Sequence, residues 1–288
     1  MHFIENEPLS THTTFRIGGP ARYYAVPENT EQIIESIKFA KEKGLPYITI
    51  GRGSNILFAD QGYNGVVIEI GKGMEDIEFL DECCIRAQAG IALSTLAAKT
   101  AANSLAGLEF AGGIPGTLGG AVTMNAGAYG GEIKDCIVSA KVLDKNGNVI
   151  DLDREQLELG YRTSVIQKKG YIVLEAVFQL KRGEKEQILA YMKELNARRR
   201  DKQPLEFASA GSTFKRPEGY FAGKLIEDAG LRGYRNGDAQ VSEKHCGFVI
   251  NRKNATAAEV IQLIEHVQKR VYETSGVRLE PEVRIIKQ

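Results

Sequence analysis

The sequence has little of the charge imbalance and cysteine patterning that mark several classes of protein. Its 37 Lys and Arg residues balance 37 Asp and Glu residues, so there is no electrostatic reason to expect nucleic acid or an acidic membrane as a partner. The four cysteines, Cys83, Cys84, Cys136 and Cys246, lack the spacing of a metal site, and no metal is expected. They predict a reduced, cytoplasmic protein rather than a disulfide framework.

The chain also lacks a recognisable leader and internal repeats. Its first residues, Met-His-Phe-Ile-Glu-Asn-Glu, contain no basic start followed by an apolar core, so no secretory signal is expected. The 288 residues are long for one compact core, and two or three lobes are therefore expected.

What the sequence does contain is one long glycine-rich stretch without charge. From Phe110 to Gly131 there are 22 residues with no charged side chain, and 8 of them are glycine. Glycine weakens a helix, which argues against a membrane span, and it lets the backbone approach a large flat group closely. The stretch therefore favours a cofactor cradle, with a plain loop between strands as the alternative.

A second glycine-containing segment, Gly51-Arg-Gly-Ser-Asn55, follows a predicted strand over Tyr47–Ile50. Successive backbone N–H groups in such a loop can form a concave site for a diphosphate. The dinucleotide fingerprint fails because position 56 is Ile, and the Gly-Lys-Ser/Thr ending of a Walker loop is absent. A tight β-turn explains the segment equally well.

Periodicity, capping residues and turn signals predict the helices and strands. Helices are predicted from Asn29 to a stop at Gly44 and over Leu93–Leu105, Asp153–Leu159, Glu184–Arg200, Lys224–Gly230 and Ala257–Ser275. Strands are predicted over Ala21–Val26, Tyr47–Ile50, Val66–Ile70, Cys84–Ala89, Ile137–Leu143, Val149–Leu152, Tyr171–Leu180, His245–Asn251 and Val277–Lys287.

Several polar residues have an ordinary interpretation when taken singly. Arg198-Arg199-Arg200 is interpreted mainly as favourable charge at a helix C-terminus, with binding of a substrate diphosphate as the alternative. Gly211 before Ser212 predicts an exposed hydroxyl at a turn; Phe214 excludes the Gly-x-Ser-x-Gly elbow of hydrolases.

The order and spacing of the motifs resemble a known family of flavoproteins. The motifs are Gly51-Arg-Gly-Ser-Asn, Ala111-Gly-Gly-Ile-Pro-Gly-Thr-Leu-Gly-Gly, Met124-Asn-Ala-Gly-Ala-Tyr-Gly, Gly211-Ser-Thr-Phe-Lys and Leu279-Glu-Pro-Glu-Val-Arg. The first three resemble the FAD-binding domain of the vanillyl-alcohol-oxidase (PCMH) type. Together they resemble the UDP-N-acetylenolpyruvoylglucosamine reductases (UDP-N-acetylmuramate dehydrogenases), from about Thr13 to the C-terminus.

This resemblance implies an α+β fold with a two-lobed FAD-binding domain followed by an α+β substrate-binding domain. The implied boundaries are 1–65 and 66–182 for the two FAD-binding lobes and 183–288 for the C-terminal domain. The short interval between Tyr161-Arg162 and Ser212 implies the compact second class of these reductases, which lacks an inserted loop that closes over the substrate.

The implied activity is an FAD-dependent, NADPH-driven reduction of UDP-N-acetylglucosamine enolpyruvate to UDP-N-acetylmuramate in the cytoplasm. It belongs to peptidoglycan precursor synthesis, and so to cell-wall biogenesis, cell shape, cell division and the cell cycle. Hydride passes from flavin N5 to the vinyl carbon, and Ser212 protonates the adjacent carbon. Arg162 holds the substrate carboxylate, and protonated Glu282 donates a hydrogen bond to the intermediate.

The resemblance also implies cofactor and substrate contacts, a small UDP-sugar as the partner, and a monomer with no nucleic acid or membrane partner. The implied FAD contacts are Gly51, Arg52, Gly53, Ser54, Asn55, Gly112, Gly113, Gly116, Thr117, Gly119, Gly120, Asn125 and Gly127. The implied substrate contacts are Tyr129, Arg162, Lys215, Arg216 and Arg284.

Two other functions stay open at the level of sequence. One is another FAD-dependent oxidoreductase of the same fold that acts on a small alcohol or sugar. The four histidines, at positions 2, 12, 245 and 266, all lie outside the two glycine-rich loops, which favours non-covalent FAD over a tethered flavin. The other is a nucleotide-binding module without catalytic activity, which would leave Arg162, Ser212 and Glu282 without a role.

Overall fold

The computed structural model describes residues 1–287, which form helices and mainly antiparallel strands. The helices, in chain order, are α1 (Thr30–Glu42), α2 (Leu93–Ala102), α3 (Leu118–Met124), α4 (Val165–Lys169), α5 (Lys185–Lys202), α6 (Ala222–Asp228) and α7 (Ala257–Ser275). Single 3₁₀ turns lie at Leu9–Thr11, Glu109–Gly113 and Ile133–Asp135.

The strands are mostly short. In chain order they are β1 (Ile4–Pro8), β2 (Pro20–Ala25), β3 (Tyr47–Ile50), β4 (Ile56–Phe58), β5 (Tyr63–Glu69), β6 (Ile77–Phe79), β7 (Cys84–Gln88), β8 (Leu105–Ala106), β9 (Gly127–Ala128), β10 (Gly131–Glu132), β11 (Ile137–Leu143), β12 (Val149–Asp153), β13 (Ile172–Gln179), β14 (Lys181–Arg182), β15 (Ala208–Ser209), β16 (Arg235–Asn236), β17 (Ala239–Val241), β18 (Val249–Asn251) and β19 (Arg284–Ile286).

The chain forms two compact units. The first contains residues 1–3, 25–52 and 67–199, and the second contains residues 4–24, 53–66 and the described chain from 200 onward. The three-part division at residues 65 and 182 stays a prediction.

A five-stranded antiparallel sheet organises the first unit, in the order β12-β11-β13-β7-β6. The strands predicted over Ile137–Leu143 and Val149–Leu152 are confirmed and pair as the β11–β12 hairpin, with Val142 opposite Ile150. Gly147 takes the positive φ of the turn, at 91°, and the Asp144 carboxylate accepts hydrogen bonds from the N–H groups of Asn146 and Asn148. Helix α3 packs on β13 through its buried apolar residues, and this contact fixes the glycine-rich stretch relative to the sheet.

The second unit packs α6 and α7 with the antiparallel sheet β15-β18-β17-β16. Helix α7 has the predicted bounds because Thr256 and Glu259 form the expected capping box and Gly276 ends it at φ 72°. The Asp60 carboxylate also accepts hydrogen bonds from the N–H groups of Ala257 and Ala258, which satisfies two more donors of the first turn. Val260, Leu263, Ile264, Val267 and Val271 of α7 lie in the core of this unit.

Three sequence predictions of secondary structure are wrong. Residues 154–158 form turns instead of the helix predicted over Asp153–Leu159: Asp153 and Gln156 cap each other, and Glu158 then takes a φ of 46°. The strand predicted over 245–251 begins only at Val249, because His245 closes a tight loop by accepting the N–H of Gly247.

The third error is at the C-terminal end of the chain, where only β19 of the predicted strand over 277–287 forms. The segment before it makes single contacts with the Thr213–Lys215 segment instead of a ladder, including an isolated bridge between Phe214 and Pro281. No helix among residues 1–287 combines the length and apolar character needed to cross a bilayer.

Candidate functional site

The two glycine-rich loops of the sequence meet in the first unit. A Cβ added at Gly51 would lie 2.2 Å from Oγ1 of Thr117, which is buried at the start of α3. The contact requires glycine at position 51, because any side chain there would displace Thr117. The structure therefore places the Gly51 loop and the Gly116–Thr117 turn side by side.

The loop that follows β3 continues into the second unit with Gly53. This glycine has a φ of 57°, and an added Cβ would lie 2.2 Å from the carbonyl oxygen of His12. Within residues 1–287, no backbone N–H from Gly51 to Asn55 is bonded to a backbone carbonyl. N–H groups without a backbone acceptor, as at Gly51 and Arg52 in the first unit, are donors that suit a phosphate or another anion.

The next glycine pair, Gly112 and Gly113, packs against α5. A Cβ at Gly112 would lie 2.9 Å from Cε of Met192, and one at Gly113 would lie 2.9 Å from Nη1 of Arg199. Close helix packing therefore already explains part of the glycine content. Gly120 differs, because an added Cβ would meet only Thr117 Oγ1, at 3.8 Å, which leaves open space for a ligand.

Asn125 is buried and uses its whole side-chain amide within the first unit. It donates to Glu132 Oε2 at 2.7 Å and to the carbonyl of Gly160 at 3.0 Å, and it accepts from the N–H of Lys134 at 2.9 Å. It also ends α3 with a φ of 42°. The predicted contact of Asn125 with a cofactor would therefore be made by its backbone atoms.

Arg162 lies at the tip of a tight turn that Asn125 holds at its base. Its φ is 54°, and the flanking residues Gly160 and Thr163 exchange backbone hydrogen bonds. The guanidinium is partly exposed, donates from Nη2 to the carbonyl of Gly127 at 3.2 Å, and lies 5.3 Å from the ring centroid of Tyr161. The strained turn keeps the charged group at the surface of this unit.

Ser212 is exposed at a turn in the second unit, as the sequence predicts. Gly211 before it has a φ of 75°, and the next residue, Thr213, is 2% exposed. The N–H of Thr213 donates to the carbonyl of Gly247 at 2.8 Å, and its Oγ1 accepts from the N–H of Val249 at 2.9 Å. An exposed hydroxyl thus sits next to a residue fixed on both its backbone and its side chain.

Glu282 lies beside this turn, because its N–H donates to the carbonyl of Thr213 at 2.8 Å. The Asn55 side chain donates to the carbonyl of Glu282 at 3.0 Å, and the Asn55 carbonyl accepts from the N–H of Arg284 at 3.0 Å. The structure therefore brings together three segments that are far apart in sequence, around Asn55, Ser212 and Glu282.

Two predicted substrate residues have partners within their own unit. Nζ of Lys215 lies 2.5 Å from Oε1 of Glu280. The guanidinium of Arg216 lies 3.9 Å from the ring centroid of Phe221, and its Nε donates to the carbonyl of Tyr220 at 3.2 Å. Both cations would have to exchange or share these partners to hold a substrate.

The remaining predicted residues divide between backbone packing and the surface. Gly119 donates its N–H to the carbonyl of Ala89 at 2.8 Å, and Gly127 pairs with Glu132 in the β9–β10 hairpin. The more accessible predicted residues are Arg52, Ser54, Gly116, Tyr129 and Arg284. Their ligand contacts stay predictions.

Sequence reasoning gave His245 no role, and it treated Arg199 only as one of the three arginines at the end of a helix. Burial lowers the pKa of His245. Its Nδ1 accepts a hydrogen bond from the N–H of Gly247, and the carbonyl of Gly247 accepts one from the N–H of Thr213. Arg199 is 8% exposed, although its neighbours Arg198 and Arg200 are at the surface. The sequence carries no local signal for either, because burial here depends on residues distant in the chain.

Comparison with known proteins relates both parts of the chain to one group. A family described as FAD binding domain matches residues 21–153, and the family described as UDP-N-acetylenolpyruvoylglucosamine reductase, C-terminal domain, matches residues 203–286. The UDP-N-acetylenolpyruvoylglucosamine reductase of Lachnoclostridium phytofermentans is 58% identical over 98% of this chain and 92% of its own length. That of Agathobacter rectalis is 56% identical over 98% of this chain and 93% of its own.

A solved structure gives the same result at the level of the fold. The crystal structure of UDP-N-acetylenolpyruvylglucosamine reductase from Thermus caldophilus superposes with a TM-score of 0.84 at 35% identity. The match covers 99% of this chain and 98% of that one. The predicted α+β fold with an FAD-binding domain followed by a distinct C-terminal domain is confirmed.

Proposed function

The chain belongs to the UDP-N-acetylenolpyruvoylglucosamine reductase family, and from this premise we propose that it reduces UDP-N-acetylglucosamine enolpyruvate to UDP-N-acetylmuramate. The observation that carries the proposal is the 58% identity over 98% of the chain. This identity extends over both the FAD-binding part and the C-terminal part, so it supports the complete reaction and not only the binding of a flavin. The product is a precursor of peptidoglycan, which links the reaction to cell-wall synthesis.

The first unit suits FAD by the chemistry of its donors. The Gly51–Asn55 loop begins here with N–H groups free of backbone acceptors, and Gly120 leaves open space next to the Thr117 hydroxyl. Gly112, Gly113, Gly116 and Gly119 would hold FAD through their backbone, and Gly127 likewise. When bound, FAD supplies hydride transfer from NADPH to the enolpyruvyl double bond.

We assign the proton to Ser212. Adding hydride to the terminal vinyl carbon leaves an electron pair on the adjacent carbon, and a proton must reach that carbon to complete the lactyl ether. The Ser212 hydroxyl is exposed, and Thr213 fixes the backbone next to it. A serine is a weak acid, so it serves only because the carbanion is strongly basic and the donor is held in place.

Arg162 and Glu282 are assigned to the charge that develops on the substrate carboxylate. A guanidinium forms paired, charge-assisted hydrogen bonds with a carboxylate, and the turn around Arg162 keeps it at the surface of its unit. Glu282 is half-buried and has its backbone fixed by Thr213 and Asn55. In its protonated form it donates a hydrogen bond to the enolate-like intermediate.

Tyr129, Lys215, Arg216 and Arg284 are proposed to contact the UDP-sugar. Lys215 and Arg216 would do so by exchanging their present partners, Glu280 and Phe221. We also propose a cytoplasmic monomer that binds no nucleic acid. The cysteines Cys83, Cys84, Cys136 and Cys246 are free, and burial raises the pKa of Cys136 to about 12, which supports a reducing compartment and an inert thiol.

Turnover with product analysis tests this function. The purified protein is incubated with NADPH and UDP-N-acetylglucosamine enolpyruvate, and the nucleotide product is identified by mass spectrometry. We expect a product that carries two more hydrogens than the substrate and comigrates with UDP-N-acetylmuramate. NADPH consumption without a change in the substrate would contradict the proposal.

A further inference from the structure

His12 is held through both nitrogens of its ring by partners on two neighbouring strands. Its Nε2 lies 2.9 Å from Oε1 of Glu7 on β1, and its Nδ1 lies 2.7 Å from the hydroxyl oxygen of Tyr24 on β2. A carboxylate only accepts hydrogen bonds, so Nε2 is the donor to Glu7, and Nδ1 of the neutral ring accepts from the Tyr24 hydroxyl. Within the second unit, these two bonds fix the position and the orientation of the imidazole.

The need to satisfy a buried hydroxyl explains only one of these two bonds. Tyr24 is 2% exposed, so its hydroxyl needs a partner inside the protein, and His12 provides one. The side chains of His12 and Glu7 are 21% and 25% exposed, so each can also bond to water. The bond between them therefore adds something else, a charge-assisted anchor that joins His12 to β1.

The backbone at His12 contacts the loop that the proposed function assigns to the diphosphate of FAD. A Cβ added at Gly53 would lie 2.2 Å from the carbonyl oxygen of His12 and 2.8 Å from Cα of Thr13. In addition, the carbonyl of Gly53 accepts a hydrogen bond from the N–H of Thr14 at 3.3 Å. The position of Gly53 therefore depends on the position of residues 12–14.

The same short segment contacts the strand that leads to Ser212. The hydroxyl of Thr14 donates to the carbonyl of Ser209 on β15 at 2.7 Å. Residues 12–14 thus lie against both the Gly53 loop and the strand before the proposed proton donor. A side chain that fixes this segment acts on the backbone of both.

We infer that His12, anchored by Glu7, is a positioning residue that sets the affinity of the Gly53 loop for the diphosphate of FAD. The N–H groups of Gly53, Ser54 and Asn55 have no backbone acceptor within residues 1–287, and such donors suit a diphosphate. They bind tightly only when their backbone is held in place before the ligand arrives. The inference rests on the proposed binding of FAD and goes beyond it by assigning a residue outside the glycine-rich loops.

Binding of FAD and of ADP to the full-length apoprotein tests this role. ADP contains the diphosphate and the adenosine of FAD but no flavin ring, so a defect at the diphosphate weakens both ligands by the same factor. Glu7→Ala removes the anchor at a partly exposed position, and Glu5→Ala on the same strand is the matched control. We expect the Kd of both ligands to rise about three- to thirtyfold in Glu7→Ala, which one charge-assisted hydrogen bond allows, and to stay unchanged in Glu5→Ala.

A second pair of variants separates positioning from stability. His12→Phe keeps a ring but removes both hydrogen bonds, including one to the buried hydroxyl of Tyr24, so stability and FAD affinity should both fall. The double variant His12→Phe/Tyr24→Phe no longer contains that hydroxyl, and its free energy of unfolding should largely return to the wild-type value. Its Kd for FAD should stay raised, because the anchor to Glu7 is still missing.

The outcomes separate this inference from the proposed function. A Kd that recovers together with stability in the double variant would overturn the inference and leave His12 with a structural role only. Weaker binding of FAD without weaker binding of ADP would also overturn it, because the defect would then lie at the flavin ring. Unchanged Kd values in Glu7→Ala and His12→Phe would do the same while FAD binding stands. A wild-type protein that binds no FAD would overturn both proposals.

Discussion

The carbonyl oxygen of Thr213 accepts a hydrogen bond from the N–H of Glu282 at 2.8 Å. The bond connects the turn that exposes Ser212 with a segment 70 residues further along the chain. It places the proposed proton donor and the proposed acidic residue on two adjoining backbones of one unit. Thr213 itself is anchored to the loop and strand at Gly247 and Val249, which fixes the backbone next to Ser212.

The clearest consequence concerns Ser212→Ala. Flavin reduction by NADPH should proceed at the wild-type rate, because the serine has no part in that half-reaction. Reduction of the enolpyruvyl substrate should fall by about 10²–10⁴, the usual contribution of a general acid. Stopped-flow spectroscopy measures the two half-reactions separately. The control is Ser209→Ala, three residues earlier, and equal loss of both half-reactions in Ser212→Ala would refute the role.

Because Gly51 and Thr117 are in contact, we expect a substitution of Thr117 to restore part of the FAD affinity that a substitution of Gly51 removes. Gly51→Ala places a Cβ where Thr117 Oγ1 now lies, and such overpacking costs about 1–3 kcal/mol. Because both residues belong to the proposed cradle, the Kd for FAD should rise by about five- to a hundredfold. Thr117→Ala removes the obstructing oxygen, so the double variant should bind FAD more tightly than Gly51→Ala does. Independent, additive effects in this double-mutant cycle would show that the two loops do not share the site.

We expect the substitution Asn125→Asp to lower the free energy of unfolding by an amount that depends on pH. Asn125→Asp replaces two donors with a carboxylate facing Glu132 and the carbonyl of Gly160, and the loss should exceed about 2 kcal/mol at pH 7. Burial and the Glu132 charge should raise the folded-state pKa of the new carboxyl above its unfolded value. The protonated acid can donate again, so the defect should shrink as the pH falls through that raised pKa. Urea unfolding at several pH values measures this.

The exposed Asn254 provides the control for that experiment. Asn254→Asp introduces the same charge at the surface and should change the free energy of unfolding little at any pH. A defect in Asn125→Asp that grows toward low pH would contradict the assigned hydrogen bonds.

We expect His245 to cause a second pH effect, in which the free energy of unfolding decreases as the pH falls. Burial lowers the pKa of His245 in the folded state, so the unfolded chain takes up a proton first as the pH falls. The stability that neutral His245 contributes is present above the unfolded pKa of about 6.5 and is lost as the pH falls below it toward the folded-state pKa. In His245→Asn, whose amide oxygen can accept the Gly247 N–H, the fall between pH 7.5 and pH 5 should be smaller.

The surface histidine His2 is the matched control. His2→Asn should follow the wild-type profile, because the side chain of His2 is exposed and packs in no core. An identical acid profile for wild type and His245→Asn would refute the role of His245.

Local signals in the sequence were sufficient wherever structure is set by near neighbours. Thr256, Glu259 and Gly276 define α7 by capping, and they gave its bounds. The turn Lys145-Asn-Gly-Asn148 predicts the β11–β12 hairpin in the same way, because Asn-Gly readily takes a positive φ. Ser212 was predicted at an exposed turn because Gly211 allows the positive φ that the turn needs.

Where distant segments decide the outcome, the sequence was insufficient or misleading. The strand predicted at 277–287 is short because Thr213 and Asn55 take up the hydrogen bonds of Glu282. Gly113 suggested only a cofactor contact, yet α5 packs against it. Arg199 could not be distinguished from its neighbour Arg198, because no residue near them in the sequence indicates which of the two is buried.

One anaerobic experiment tests the central claim most directly. The purified protein is reduced with NADPH while the flavin absorbance is followed, and UDP-N-acetylglucosamine enolpyruvate is then added. The account predicts bleaching by NADPH and rapid return of the oxidised spectrum when the substrate is added. Bleaching without that return would contradict the assigned substrate, and no bleaching of a bound flavin would contradict NADPH as the donor.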